Sequence, residues 1–207
     1  MLRMVFILVL AYLIGSIPNA LWVSKQVKGI DPRQVGDGNL GSKNVFLHVG
    51  AAAGILVFCF DILKSYLPML FFRAMGVDTY GLFAVGAALV IGHNWSIFTH
   101  FRGGQGMAVI IGIYLSFAPI PTLVATLIFL GLYVGLRHWD LACAFGYLAV
   151  PAQIWVFQGD YVLALYCIGV LPLVGLSKLW QRLYGEKINL ANGTGVDPLG
   201  EDVKPKK

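Results

Sequence analysis

Two short stretches of the 207-residue chain combine glycine with cations and amide side chains. In the first, "GDGNLGSKN", Gly36, Gly38 and Gly41 are interleaved with Asp37, Asn39, Ser42, Lys43 and Asn44. In the second, "HFRGGQGMA", Arg102 precedes Gly103, Gly104 and Gly106, and an apolar run follows at once. Glycine lets main-chain N–H groups approach an anion, and a helix N-terminus adds a partial positive charge. The chemistry expected of such stretches is the holding of phosphate. Each also has a plainer reading, as an inter-helix loop rich in turn-forming residues or a tight turn before a short helix. Asp37 adds a carboxylate among the phosphate-binding candidates, where it can serve as a general base.

Gly36, Gly38 and Gly41 also spell the dinucleotide pattern G-x-G-x-x-G. That pattern needs a strand before it and a βαβ unit around it. Apolar runs of helical length flank it instead, so a nucleotide-binding turn is a poor reading of it.

Further ionisable residues lie inside apolar sequence. "FDILKSYLP" places Asp61 and Lys64 three residues apart on one helical face. Charges near the membrane centre cost about 2.5–3.5 kcal/mol each on insertion scales. They form either a self-neutralising packing pair or a functional lysine oriented by its aspartate toward a polar cavity. "GHNW" brings His93 and Asn94 to the end of another apolar run, as a catalytic histidine or an interfacial cap. The histidines have no metal-ligand spacing, and the three cysteines are scattered in apolar runs as small fillers.

The elements that position these residues follow from composition. The chain is 58% hydrophobic and 12% charged, with a mean hydropathy of +0.77, whereas a soluble domain carries about 25% charged residues. It must be solvated largely by lipid, and no charged water-facing domain suited to nucleic acid is visible. The expected fold is an all-α integral membrane protein, a bundle of seven transmembrane helices. The spans are read at about 3–23, 49–72, 80–99, 107–118, 120–136, 141–157 and 160–178, against the roughly 17–25 residues a crossing needs. The fourth is short and forms a hairpin with the fifth at "APIP". One set of loops holds Lys25, Lys28, Arg33, Lys43, Arg102, Arg137 and the basic C-terminus; the other holds little beyond Arg3 and Arg73. The positive-inside rule therefore places the N-terminus outside and both glycine stretches on the cytoplasmic face. Residues 1–184 read as one membrane domain and 185–207 as a polar, disordered tail.

In order and spacing, "YLIGSIPNALWVSK", "VGDGNLGSKNV", "FDILKSYLP" and "GHNWSIFTHFRGGQG" resemble the bacterial acyl-phosphate:glycerol-3-phosphate acyltransferases, over roughly residues 5 to 150. The resemblance implies a seven-helix bacterial inner-membrane enzyme. Such an enzyme moves a fatty acyl group from acyl phosphate to glycerol 3-phosphate, giving lysophosphatidic acid and phosphate without a cofactor. Lys64 and His93 are the candidate catalytic residues, both glycine stretches are the candidates for phosphate, and Asp37, where this chain departs from the family, is a candidate general base on its own chemistry.

The chain departs from the family pattern at several positions. Asp37 stands for a serine, Ser42 and Lys43 for alanine and threonine, Leu47 for an arginine and Gln105 for a lysine. Of the last motif, only Lys178 and Arg182 remain in "GLSKLWQRLYG". Two expectations follow: a divergent active enzyme, or an impaired paralogue that binds lipid or a protein partner. A transporter reading is weaker, because no inverted repeat is visible.

Overall fold

The structure is a computed structural model that describes the backbone of residues 1–192 and the side chains of residues 1–183. Those residues build ten α-helices: α1 (Leu2–Gly15), α2 (Asn19–Lys28), α3 (Ser42–His48), α4 (Ala51–Ala74), α5 (Thr79–Asn94), α6 (Met107–Phe117), α7 (Pro119–Leu136), α8 (Trp139–Gln153), α9 (Tyr161–Val170) and α10 (Pro172–Asn192).

Six stretches are long and apolar enough to cross a membrane: Leu2–Lys28, Ala51–Ala74, Thr79–Thr99, Pro119–Leu136, Trp139–Gln158 and Tyr161–Leu183. The seventh expected span is α6, whose eleven residues rise only about 16 Å, half the thickness of a bilayer core. The last helix continues as backbone to Asn192, past residue 185 where the tail was expected to begin. Residues 193–207, with Lys204, Lys206 and Lys207, lie outside the described residues.

Large apolar side chains such as Phe157, Val134 and Ile120 cover the exposed flanks, as lipid solvation requires. Inside, small residues bring backbones together, the usual basis of helix association in lipid. A Cβ on Gly15 would run into the Leu89 main chain, and one on Gly92 would strike Tyr12 O, so α1 and α5 pack at close range. Gly112 plays the same part between α6 and α4, against Ile62 and Ser65. The α7–α8 hairpin forms the other closely packed pair.

Two local features prepare the interior. The first apolar run breaks at Pro18, which has no N–H to continue the helix. The break leaves Ile17 O facing α4, where it accepts from Lys64 Nζ at 3.0 Å. The first glycine stretch is tied down by Asn44, which is buried. Its Nδ2 donates to Pro32 O at 2.9 Å, Asn39 O at 3.0 Å and Val35 O at 3.1 Å. Asn44 was expected to bind substrate; its amide nitrogen is instead engaged in holding the loop. Asn44→Ala removes this donor; Pro32 O and Val35 O each keep a main-chain N–H, while Asn39 O loses its Asn44 partner, at about 1–3 kcal/mol for an unsatisfied group. The expected result in detergent is a thermal midpoint lower by roughly 2–12 °C, read by scanning fluorimetry.

Candidate active site

The ends of several elements converge on a cavity of about 690 Å³. The first loop contributes Asp37, Asn39 and Gly41, and α3 adds Ser42 and Lys43. The second loop contributes Gln105 and Gly106, followed by Met107 and Ala108 of α6. Asn39 and Gln105, from loops 66 residues apart in sequence (105 − 39), therefore face one chamber. Asp61 of α4 and His93 of α5 form part of its lining as well.

A third wall was anticipated only through Lys178 and Arg182, the remnants of the last family motif. Tyr133 and Arg137 end α7, His138 and Asp140 open α8, and Lys178, Gln181 and Arg182 project from α10. Sequence reading used Arg137 only to orient the bundle. Its signal was present, since Arg137, His138 and Asp140 interrupt two apolar runs within four positions. These residues matter for charge. Leu47 is exposed on α3 and stands outside the chamber lining. Lys43, Arg137, Lys178 and Arg182 give the chamber four cations, although positions 47 and 105 are neutral.

The two glycine stretches work differently from one another. Gly36 and Gly38 take positive φ, 58° and 67°, which shapes the first loop. They and Asn44 stand behind the chamber, while Asn39, Gly41, Ser42 and Lys43 line it. Lys43 also lies over the Trp139 ring, 5.5 Å from its centroid, a cation–π contact that leans α3 on α8. Asp37 Oδ1 accepts from Asn39 N–H at 3.1 Å, closing the turn.

In the second stretch, Gly103 N–H donates to Asn94 O at 3.2 Å and Gly104 N–H to His93 O at 3.1 Å. These amides are engaged within the fold and do not cradle an anion. Arg102, Gly103 and Gly104 lie outside the chamber lining. The two glycines are there for closeness: a Cβ on Gly103 would overlap His93 O, and one on Gly104 would overlap the His93 ring at Nε2. The first turn of α6 instead lines the chamber, after Gly106, whose φ of 89° suits glycine. Met107 and Ala108 there carry N–H groups without an intrahelical partner. Gly104→Ala displaces the imidazole, and a shift near 1 Å in a positioned group costs about a hundredfold in rate. Turnover is expected to fall roughly ten- to a hundredfold with the fold intact by size-exclusion chromatography.

Behind the chamber runs a buried polar relay. Asn19 Nδ2 donates to Asp61 Oδ1 at 2.9 Å. Lys64 Nζ meets Asp61 Oδ1 at 2.9 Å, Ile17 O at 3.0 Å and His93 Nδ1 at 2.8 Å. An ammonium has three protons and no lone pair, so its donor capacity is filled by these three acceptors. Lys64 lies outside the chamber lining and does not reach into the cavity as one sequence reading expected. Because Lys64 donates to Nδ1, the network assigns the proton of a neutral His93 to Nε2. Lys64 and Asp61 thus orient a histidine N–H donor.

Beside the chamber, and sharing Gln105, Met107, Asp140, Gly175 and Lys178 with it, lies a second, apolar cavity of about 440 Å³ between α8, α9 and α10, with Cys143, Leu148, Ile168 and Val174 in its walls. A polar, cation-lined chamber joined to an apolar groove inside a multi-pass membrane bundle defines a class: an enzyme for amphiphiles with a phosphorylated head. Comparison with known proteins makes the class specific. The chain belongs to the glycerol-3-phosphate acyltransferase family, whose pattern it matches over residues 5–184. It is similar to the glycerol-3-phosphate acyltransferase of Listeria monocytogenes serovar 1/2a, with 35% identity over 183 residues, 87% of this chain and 90% of that protein. The Aquifex aeolicus enzyme of the same name is 37% identical over 161 residues, 77% of this chain and 82% of that protein. Among solved structures it is similar to PlsY (YgiH), an integral membrane glycerol 3-phosphate acyltransferase. The glycerol 3-phosphate form superposes with a TM-score of 0.76 at 30% identity, covering 92% of this chain and 93% of that one. The lysophosphatidic acid form gives 0.75 at 26% identity, covering 96% of this chain and 100% of that one.

Proposed function

We propose that this glycerol-3-phosphate acyltransferase takes its acyl group from an acyl phosphate and works at the cytoplasmic face of a bacterial inner membrane, with its N-terminus outside. The observation that carries the reading is the junction of the two cavities. A polar head-group chamber with four cations in its lining shares a wall with an apolar groove. Glycerol 3-phosphate is small and fully polar, and it fits the chamber alone. An acyl phosphate places its phosphate in the chamber and its chain in the groove.

The chemistry needs no covalent enzyme intermediate, because an acyl phosphate is a mixed anhydride. The 1-hydroxyl oxygen of glycerol 3-phosphate attacks the carbonyl carbon, the carbon–oxygen bond to phosphate breaks, and lysophosphatidic acid and inorganic phosphate leave. Asp37 takes the hydroxyl proton and passes it to the departing phosphate. Its Oδ1 is held by Asn39 N–H, which fixes the carboxylate without consuming its second oxygen. His93, oriented by Lys64, donates through Nε2 to charge developing at the reacting centre. Lys43, Arg137 and the first-turn amides of α6 hold phosphate. Preorganised donors of this kind are each worth roughly 2.7–4 kcal/mol in comparable sites, and positioning contributes about 7–11 kcal/mol.

Purified protein in detergent, supplied with palmitoyl phosphate and labelled glycerol 3-phosphate, is expected to form labelled lysophosphatidic acid with one phosphate released per acyl transfer. Product formed only from another acyl donor, or no product at all, would overturn the reading.

A further inference from the structure

The two cavities share five lining residues, Gln105, Met107, Asp140, Gly175 and Lys178. Only three of these have polar side chains. Gln105 is neutral, and the other two form an ion pair: Lys178 Nζ donates to Asp140 Oδ2 at 2.5 Å. The pair joins the first turn of α8 to α10 across 38 residues of sequence, and both side chains are about half-exposed. A clasp of charges thus stands at the seam between the head-group chamber and the acyl groove.

We propose that Lys178 is the residue that engages the phosphate of the acyl donor, and that Asp140 is the positioning residue that holds it at the seam. The inference rests on the acyl-phosphate reading above and adds the residue that distinguishes donor from acceptor. In an acyl phosphate the phosphate is bonded directly to the carbonyl, next to the first methylenes. A chain in the groove therefore puts that phosphate at the seam. Glycerol 3-phosphate has no chain and is held deeper, among Asn39, Ser42 and Lys43. Gln105 brings no charge to the seam, so Lys178 supplies its cation. A lysine on a flexible stem at a half-exposed position would otherwise turn toward lipid headgroups; the Asp140 carboxylate keeps it facing the seam. When the donor arrives, one ammonium hydrogen bond passes to phosphate while another stays on Asp140.

The test is a split between two Michaelis constants. Lys178→Gln is expected to raise KM for palmitoyl phosphate about tenfold or more, the weight of a hydrogen bond to a charged group. KM for glycerol 3-phosphate should stay within about twofold, and Lys178→Arg should restore most of the loss. A charge swap, Asp140→Lys with Lys178→Asp, separates positioning from mere bracing of α8 and α10. The swap is expected to keep the wild-type thermal midpoint and still show the raised KM for palmitoyl phosphate. The proposal is overturned if Lys178→Gln leaves that KM unchanged, if the loss falls on glycerol 3-phosphate instead, or if the swap restores both stability and KM. Should the wild type make no lysophosphatidic acid, the donor reading itself fails. The clasp is then judged by the Kd of palmitoyl phosphate in micelles, where equal values for wild type and Lys178→Gln would overturn it.

Discussion

Lys64→Met is expected to yield little folded protein, and the double change Asp61→Leu with Lys64→Met is expected to bring the fold back without bringing back turnover. Asp61 and Lys64 are both nearly inaccessible, and their charges sit 2.9 Å apart inside the bundle. Removing one partner leaves an uncompensated buried charge at about 3–5 kcal/mol, enough to unfold a chain of ordinary stability. Removing both exchanges the pair for apolar side chains of similar reach, which is often neutral or stabilising. Catalysis does not follow, because His93 Nδ1 loses the donor that sets its tautomer. The measurements are the monodisperse fraction and thermal midpoint in detergent, set beside kcat. In the double variant kcat is expected to stay down by about a hundredfold, the scale of one lost preorganised donor. Wild-type kcat in that variant would reduce the relay to packing.

Asp37→Asn is expected to lower kcat by about 10²–10⁴-fold, the range for a positioned general base. The substitution is chosen because asparagine keeps an Oδ1 acceptor for Asn39 N–H, now 3.1 Å from the aspartate. The turn is retained, and the proton-accepting group alone is lost. KM for glycerol 3-phosphate should hold or fall, since a carboxylate beside a phosphate repels it. Turnover within threefold of wild type would show that the leaving phosphate takes the hydroxyl proton itself and that Asp37 only shapes the loop.

Much of this arrangement could be read in advance. Hydropathy located the long helices because lipid solvation demands continuous apolar runs. The Asp61–Lys64 spacing foretold a pair on one helical face, and the pair forms. Other features depended on tertiary contact. Nothing in "FRGGQG" says that the Gly103 and Gly104 amides bond to the end of α5; glycine for anion approach and glycine for close packing look alike along a chain. Lys64 was aimed at the cavity on charge alone, yet the break at Pro18 supplies a carbonyl that holds it back. The wall made by Arg137, His138, Asp140 and Lys178 joins segments about 40 residues apart in sequence, and no local pattern links them. Asn44 looked like a ligand because amide side chains serve loops and phosphates equally well.

The central claim is that part of each glycine stretch, Asn39 to Lys43 in the first and Gln105 with Gly106 in the second, faces one phosphate-holding chamber at the same end of the bundle. It is tested most directly in spheroplasts and inverted vesicles, with Cys59, Cys143 and Cys167 replaced and a single cysteine introduced as Ser42→Cys or Gln105→Cys. The account predicts that an impermeant thiol reagent labels both positions from the cytoplasmic side alone. It also predicts that millimolar glycerol 3-phosphate slows labelling at both. Labelling from opposite sides, or rates at both positions indifferent to glycerol 3-phosphate, would contradict it.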